Sequence, residues 1–167
     1  MVHEPGPARV GHDERVGPPS TSLRSVGRRD TSLGANAPIA AAALVAYGVD
    51  LVVVGGCALL IAGTTDRCGD LDVVPEPGVA NLERLGSALE RLGAPRPTMR
   101  ALCHRELTSV SSPYGRIDVM TETARREFCH LAIHASPHRV AGVPVPVAAI
   151  DDVLRLRARF LGLGDGG

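Results

Sequence analysis

Two short β-branched runs, DLVVV at residues 50–54 and DLDVV at 70–74, constrain the fold most. Each is short enough to be a strand, the first apolar after its leading aspartate and the second alternating in polarity. Between them lie a glycine pair, Gly55-Gly56, and the segment CALLIAG, which reads as a short helix closed by Gly63. Before them, Asn36 is placed to cap a helix, Pro38 suits its first turn, and IAAAALVAY continues it to Gly48. Pro75 and Pro77 are expected to end the second strand. Over 78–92 the spacing of Leu82, Leu85, Leu89 and Leu92 predicts an amphipathic helix stopped by Gly93. ELTSVSS and GRIDVM flank Pro113-Tyr114 as a hairpin, and a helix is expected over 123–134. HRVAGVPVPVA is extended and proline-broken, hence an edge strand or loop, and AIDDVLRLRARFLG forms a last helix with Asp151 as its expected cap. The alternation predicts an α/β (α+β) fold, a mixed β-sheet with helices packed against it.

The 167 residues suffice for one domain with a real core. With two Phe, two Tyr and no Trp, that core is built from Ala, Val, Leu and Ile, and a base-stacking platform for single-stranded nucleic acid is not expected. Every basic residue is arginine, which excludes a lysine Schiff base and a P-loop. Eighteen acidic residues balance the eighteen basic ones, so no global field draws in nucleic acid or membrane. No apolar run reaches the length of a membrane span and the polar N-terminus lacks a signal peptide's apolar segment, so a cytoplasmic protein with no membrane partner is expected. Cys57, Cys68, Cys103 and Cys129 form no CxxC pair and are expected to be reduced. Residues 1–35, including Arg24, Arg28 and Arg29, are expected to form a flexible tail, 36–162 the folded domain, and 163–167 a flexible end.

Chemistry concentrates around the second strand. Asp70 and Asp72, two apart in a strand, project from one face with α-carbons roughly 6.6 Å apart. Ionised carboxylates so placed repel unless a cation lies between them, and hard oxygen ligands suit Mg²⁺. Asp118 in RIDVM supplies a third carboxylate on a strand able to lie beside 70–74. Gly55-Gly56 falls where a strand meets a helix start, a position that favours an anion. The plainer alternative is a half-exposed strand with a solvated carboxylate face. Zinc is not expected: His130 and His134 share a helical face, but Pro137 separates them from His138 and no glutamate completes an HExxH pattern, so they read as surface histidines, like Cys103-His104 and Cys129. Cys57 reads as a packing residue rather than a nucleophile, and neither GxGxxG nor GxSxG is present.

The run VVVGGCALLIAG…DLDVV followed by RIDVM resembles the nucleotidyltransferase superfamily with the DNA polymerase β-like fold, and within it the small bacterial AbiEii-type toxin nucleotidyltransferases. That pattern is a hydrophobic residue before Gly-Gly or Gly-Ser, a spacer, Asp-hydrophobic-acid-hydrophobic, then a later hydrophobic-acid-hydrophobic. Here Gly55-Gly56, thirteen spacer residues, Asp70-Leu71-Asp72-Val73 and Ile117-Asp118-Val119 satisfy it. The resemblance implies a Mg²⁺-dependent transfer of a nucleoside monophosphate from a nucleoside triphosphate to an acceptor hydroxyl. Asp70, Asp72 and Asp118 would be catalytic and hold two Mg²⁺ ions, with Gly55 and Gly56 contacting the β- and γ-phosphates. Asp118 would bind the second ion and help deprotonate the acceptor. The implied partners are tRNA or protein as acceptor and an antitoxin.

Some positions depart from that family. Relatives commonly carry Arg three residues after the helix-ending glycine and Thr two before the first Asp; here Asp66 and Cys68 stand there. Arg67 is the expected substitute in nucleotide binding if it faces the phosphates. Arg157 stands about where relatives place a lysine, and the chain continues only to GLGDGG, so part of the acceptor site is expected to be missing or supplied by a partner. Arg84, Arg91, Arg96, Arg100 and Arg105 either edge the cleft for a phosphate-bearing acceptor or form a solvated face. The carboxylates favour an enzyme; the departures favour a catalytically silent relative that binds nucleotide or a partner protein.

Overall fold

A computed structural model of the chain describes residues 36–162; the tails expected at 1–35, with Arg24, Arg28 and Arg29, and at 163–167 lie outside the described residues. Strand β1 (Leu51–Val54) is buried at every position. Val52 and Val53 point to opposite sides of the sheet and are both almost wholly inaccessible, so elements cover β1 on both faces. The chain enters it from α1 (Ala37–Ala46), with Pro38 in the first turn and Asn36 at the cap position but making no side-chain cap bond. Gly48, at φ +80°, closes α1 by donating its N–H to Val45 O at 2.9 Å.

After β1 come α2 (Gly55–Ile61), β2 (Leu71–Pro75), α3 (Val79–Arg91) and α4 (Met99–His104). They are followed by β3 (Thr108–Ser112), β4 (Gly115–Val119) and α5 (Thr121–His134). The last described elements are β5 (Ser136–Val140), β6 (Val143–Val147) and α6 (Ile150–Phe160). The sheet is mixed, in the order β3-β4-β2-β1-β6-β5. Strand β1 runs antiparallel to β2 and parallel to β6, and β2 runs parallel to β4. The expected α/β (α+β) class, a mixed sheet with helices packed on it, is the observed one.

Three local expectations differ. The glycine pair belongs to the first turn of α2 instead of preceding the helix, and Asp151 lies in the first turn of α6 while Ala149 takes the cap position. Helix α4 was not anticipated, because six residues are too few for periodicity to register. Its signal is local: Thr98 Oγ1 accepts the Ala101 N–H at 3.2 Å.

The proline-rich segment holds the third difference. It forms a β-hairpin, turned by Ala141 and Gly142 at φ +47° and +82°, and β6 lies inside the sheet with only β5 at the edge. The Ala148 N–H donates to Val53 O at 3.0 Å, so even-numbered residues turn their backbone polar groups toward β1. Pro144 and Pro146 therefore face β1 without an N–H to offer, and β6 pairs with β1 only at Val53↔Val147. Val143, Val145 and Val147 carry the donors on the β5 side, where the pairing runs the full strand.

A buried amide ties α3 to the sheet. Asn81 Oδ1 accepts the Asp50 N–H at 2.9 Å, while its Nδ2 donates to Asp50 O at 2.8 Å and Glu76 O at 2.9 Å. Asp50 immediately precedes β1 and Glu76 immediately follows β2, so one side chain fixes the adjoining ends of these two antiparallel strands against the helix.

Candidate active site

At the opposite end of β1 and β2 the register sets the site. Val54 pairs with Asp72, and Asp72 pairs with Asp118 across the parallel β2–β4 ladder. Cross-strand partners share a face, and Asp70 lies two residues before Asp72, so the three carboxylates converge. All three line one cleft of about 450 Å³ together with Gly55 and Gly56. Its far wall comes from α6, where Val153, Leu156, Arg157 and Phe160 face the carboxylates.

Gly55 is required here on two grounds. Its φ is +64°, a conformation that side-chain-bearing residues rarely adopt. A Cβ there would overlap Asp72 Oδ2 and stand 2.9 Å from Asp72 Cγ. Gly56 is roomier: a Cβ would meet Cys68 Cβ at 3.6 Å, an ordinary contact.

The carboxylates are under-compensated. Burial pushes the Asp72 carboxyl up from 3.8 to about 6; the Asp118 and Asp70 charges add to this, and Arg116 opposes it. Arg116, two residues before Asp118 on β4, forms an ion pair with Asp70 and a second with Asp118 Oδ2 at 3.2 Å. Those partners raise the guanidinium further above its ordinary range. Asp118 is buried, and its Oδ1 has no hydrogen-bond partner among the described residues. A single exposed guanidinium thus answers three carboxylates and leaves one buried oxygen orphaned. An orphaned acceptor beside a carboxyl held up by its neighbours fits a divalent cation with oxygen ligands.

The remaining candidates fall elsewhere. Arg67 is exposed, pairs with Asp66 at 3.7 Å and is not among the cleft residues, whereas Arg157 is. Arg116 carries no motif of its own in the sequence; its signal is the two-residue strand spacing to Asp118, the same that joins Asp70 to Asp72. None of Arg84, Arg91, Arg96, Arg100 and Arg105 lines the cleft. Arg84 donates to Gly48 O at 3.1 Å, Arg91 lies 4.3 Å over the Tyr47 ring, and Arg96 pairs with Glu90 at 3.7 Å. Cys57 is buried against Cys68, and burial drives its thiol far above the usual range, which suits packing and not nucleophilic attack.

Fold and site together describe an α/β domain with an acidic, cation-seeking cleft at the ends of three adjacent strands. No family model matches the chain, and no curated protein matches it. Among solved structures, a candidate nucleotidyltransferase from Thermotoga maritima aligns over 69% of this chain and 76% of its own, with a TM-score of 0.49 and 10% sequence identity.

Proposed function

We propose that this chain is a Mg²⁺-dependent nucleotidyltransferase that moves a nucleoside monophosphate from a nucleoside triphosphate to an acceptor hydroxyl. The observation that carries the reading is the orphaned Asp118 Oδ1 in register with Asp72. Asp70, Asp72 and Asp118 would hold the ions, probed most simply as Mg²⁺ or Mn²⁺. When bound, such ions neutralise the triphosphate and stabilise the attacking and leaving oxygens of an in-line displacement. The chain's residues do the rest. Gly55 lets Asp72 approach the start of α2, and Gly55 and Gly56 present backbone to the phosphates. Arg157, from the opposite wall, takes the phosphate-binding part expected of Arg67. Leu156, buried on the same wall, keeps water from that side. Asp118 accepts the acceptor hydroxyl's proton as its oxygen attacks the α-phosphorus and pyrophosphate leaves.

Following the AbiEii-type likeness, the acceptor is tRNA or a protein side chain, and an antitoxin is the protein partner. One observation favours the silent-binder reading: Arg67 faces solvent. Incubating the protein and Mg²⁺ with each α-labelled nucleoside triphosphate and a cell extract separates the readings, and the labelled product's size class identifies the acceptor. Asp118→Asn should lower label transfer about 10²–10⁴-fold while nucleotide Kd moves little, as expected for a group used in the transition state. Nucleotide binding without transfer in wild type, unchanged in the variant, establishes the silent binder instead.

A further inference from the structure

A second cluster lies on the seam between α5 and α6, built from residues that play no part in the cleft chemistry. His130 and His134, one turn apart on α5, both face Asp152 in the first turn of α6. Asp152 is buried, whereas the two imidazoles are each half exposed. His130 Nε2 is 2.9 Å from Asp152 Oδ1, and the two imidazole rings stand edge to face with centroids 4.3 Å apart. His134 Nδ1 is 3.6 Å from Asp152 Oδ2, too long for a hydrogen bond. One ligand atom from each residue lies within 4.8 Å of the other two.

From this geometry we propose that His130, His134 and Asp152 form a site for a borderline-soft divalent cation, Zn²⁺ in the first instance. Bonds of about 2.0–2.2 Å put the ligand atoms of a tetrahedral zinc about 3.4 Å apart. The 3.6 Å gap between His134 and Asp152 is already at that spacing. No separation among the three exceeds 4.8 Å, so closure to that spacing takes at most roughly 1.4 Å, within reach of side-chain torsions of the half-exposed imidazoles. Two imidazoles and one carboxylate select zinc-like ions over Mg²⁺, the reverse of the all-carboxylate cleft.

Arg155 is the competitor already present. Its Nη2 is 3.0 Å from Asp152 Oδ1, while its Nη1 holds Glu127 at 2.6 Å. Since Glu127 binds Arg155 independently, the guanidinium can release Asp152 to a metal and keep its own counter-ion. Metal and arginine therefore compete for one carboxylate. Loading would tie α5 to α6, the helix that forms the far wall of the cleft.

The test is Zn²⁺ calorimetry on the purified chain in excess Mg²⁺, which saturates the carboxylate cleft but not imidazoles, with Co²⁺ substitution read by visible spectroscopy. One equivalent of Zn²⁺ should bind and raise Tm. His134→Gln, an exposed change with little cost to folding, should weaken binding at least about tenfold and remove the imidazole-ligated Co²⁺ bands. Arg155→Leu should strengthen binding severalfold, an effect a purely structural ion network does not produce. Equal isotherms for wild type and His134→Gln overturn the proposal. So does loss of binding in Cys129→Ser with retention in His134→Gln, which would move the metal to a thiol.

Discussion

A carboxyl raised by burial should destabilise the metal-free protein, so replacing Asp72 should make the fold stronger while disabling the cleft. Its carboxyl is pushed up from 3.8 to about 6, first by burial and then by the Asp118 and Asp70 charges. At 1.36 kcal/mol for each pH unit, that gap corresponds to about 3 kcal/mol. Between those values the folded chain binds more protons than the unfolded chain, so stability falls as pH rises through the interval. At pH 7 the full cost is present; it shrinks as pH falls toward 4 and vanishes below about pH 3, where the carboxyl is protonated in both states. Asp72→Asn keeps the shape, removes the charge and adds amide donors beside two carboxylates. It should therefore be more stable than wild type by up to about 3 kcal/mol at pH 7, a Tm gain of roughly 10 °C for a domain this size. The two melting curves should converge as pH falls toward 4. Mg²⁺ at ten times its Kd should stabilise wild type by about 1.4 kcal/mol and leave the variant unmoved. The assay is thermal unfolding of both proteins from pH 4 to 8, with and without Mg²⁺. A variant no more stable than wild type at pH 7, or a gain that does not shrink with acid, refutes the reasoning.

Gly55→Ala should cost about 1–2 kcal/mol from its positive φ alone and, by displacing Asp72, should abolish Mn²⁺ binding, whereas Gly56→Ala should melt within a degree or two of wild type and bind Mn²⁺ normally. Arg116→Gln removes the guanidinium that competes with cations for Asp70 and Asp118, so Mn²⁺ affinity without nucleotide should rise about two- to fivefold in a calorimetric titration, the range of an exposed ion pair. Asn81→Ala leaves the Asp50 N–H and two carbonyls without their partner and should lower urea-unfolding stability by about 2–4 kcal/mol with little change in metal affinity, since it sits at the far ends of the strands.

The strand pattern made much of the architecture legible, because β1, β2 and the β3–β4 hairpin differ from their surroundings in period and are bounded by Gly and Pro. What stayed hidden depends on pairing. The interior position of β6 runs against the rule that confines proline to edges; it works because both prolines turn toward the one neighbour that β6 barely pairs with. At the site, the two-residue period placed Asp70 and Asp72 together, but the β2–β4 register that brings Asp118 opposite Asp72 is a property of the folded sheet. His130 and His134 read as ordinary surface histidines because their partner, Asp152, is remote in sequence and on another helix.

The charge distribution around β2 explains why the fold tolerates such a costly cleft. Arg116 pairs directly with Asp70 and Asp118, so it only partly offsets the burial and like charges that raise the Asp72 carboxyl, and it leaves Asp118 Oδ1 without a partner. A second arginine in the cleft would remove that strain, and Arg157 has the charge for it, but it enters from the far wall on α6. Two cations placed at opposite sides of three carboxylates leave the centre negative while making the walls attractive to an anion. On the proposed function, a polyphosphate brought in with divalent ions would satisfy both at once: the ions would answer the carboxylates and the arginines the phosphates. Either component alone leaves one side unmatched, so nucleotide and divalent ion should bind with positive coupling. Measured as nucleotide Kd with and without Mn²⁺, the affinity should rise about 5- to 150-fold, the usual range of a coupling free energy between two sites. Equal affinities would mean that the cleft does not treat ion and phosphate as one ligand.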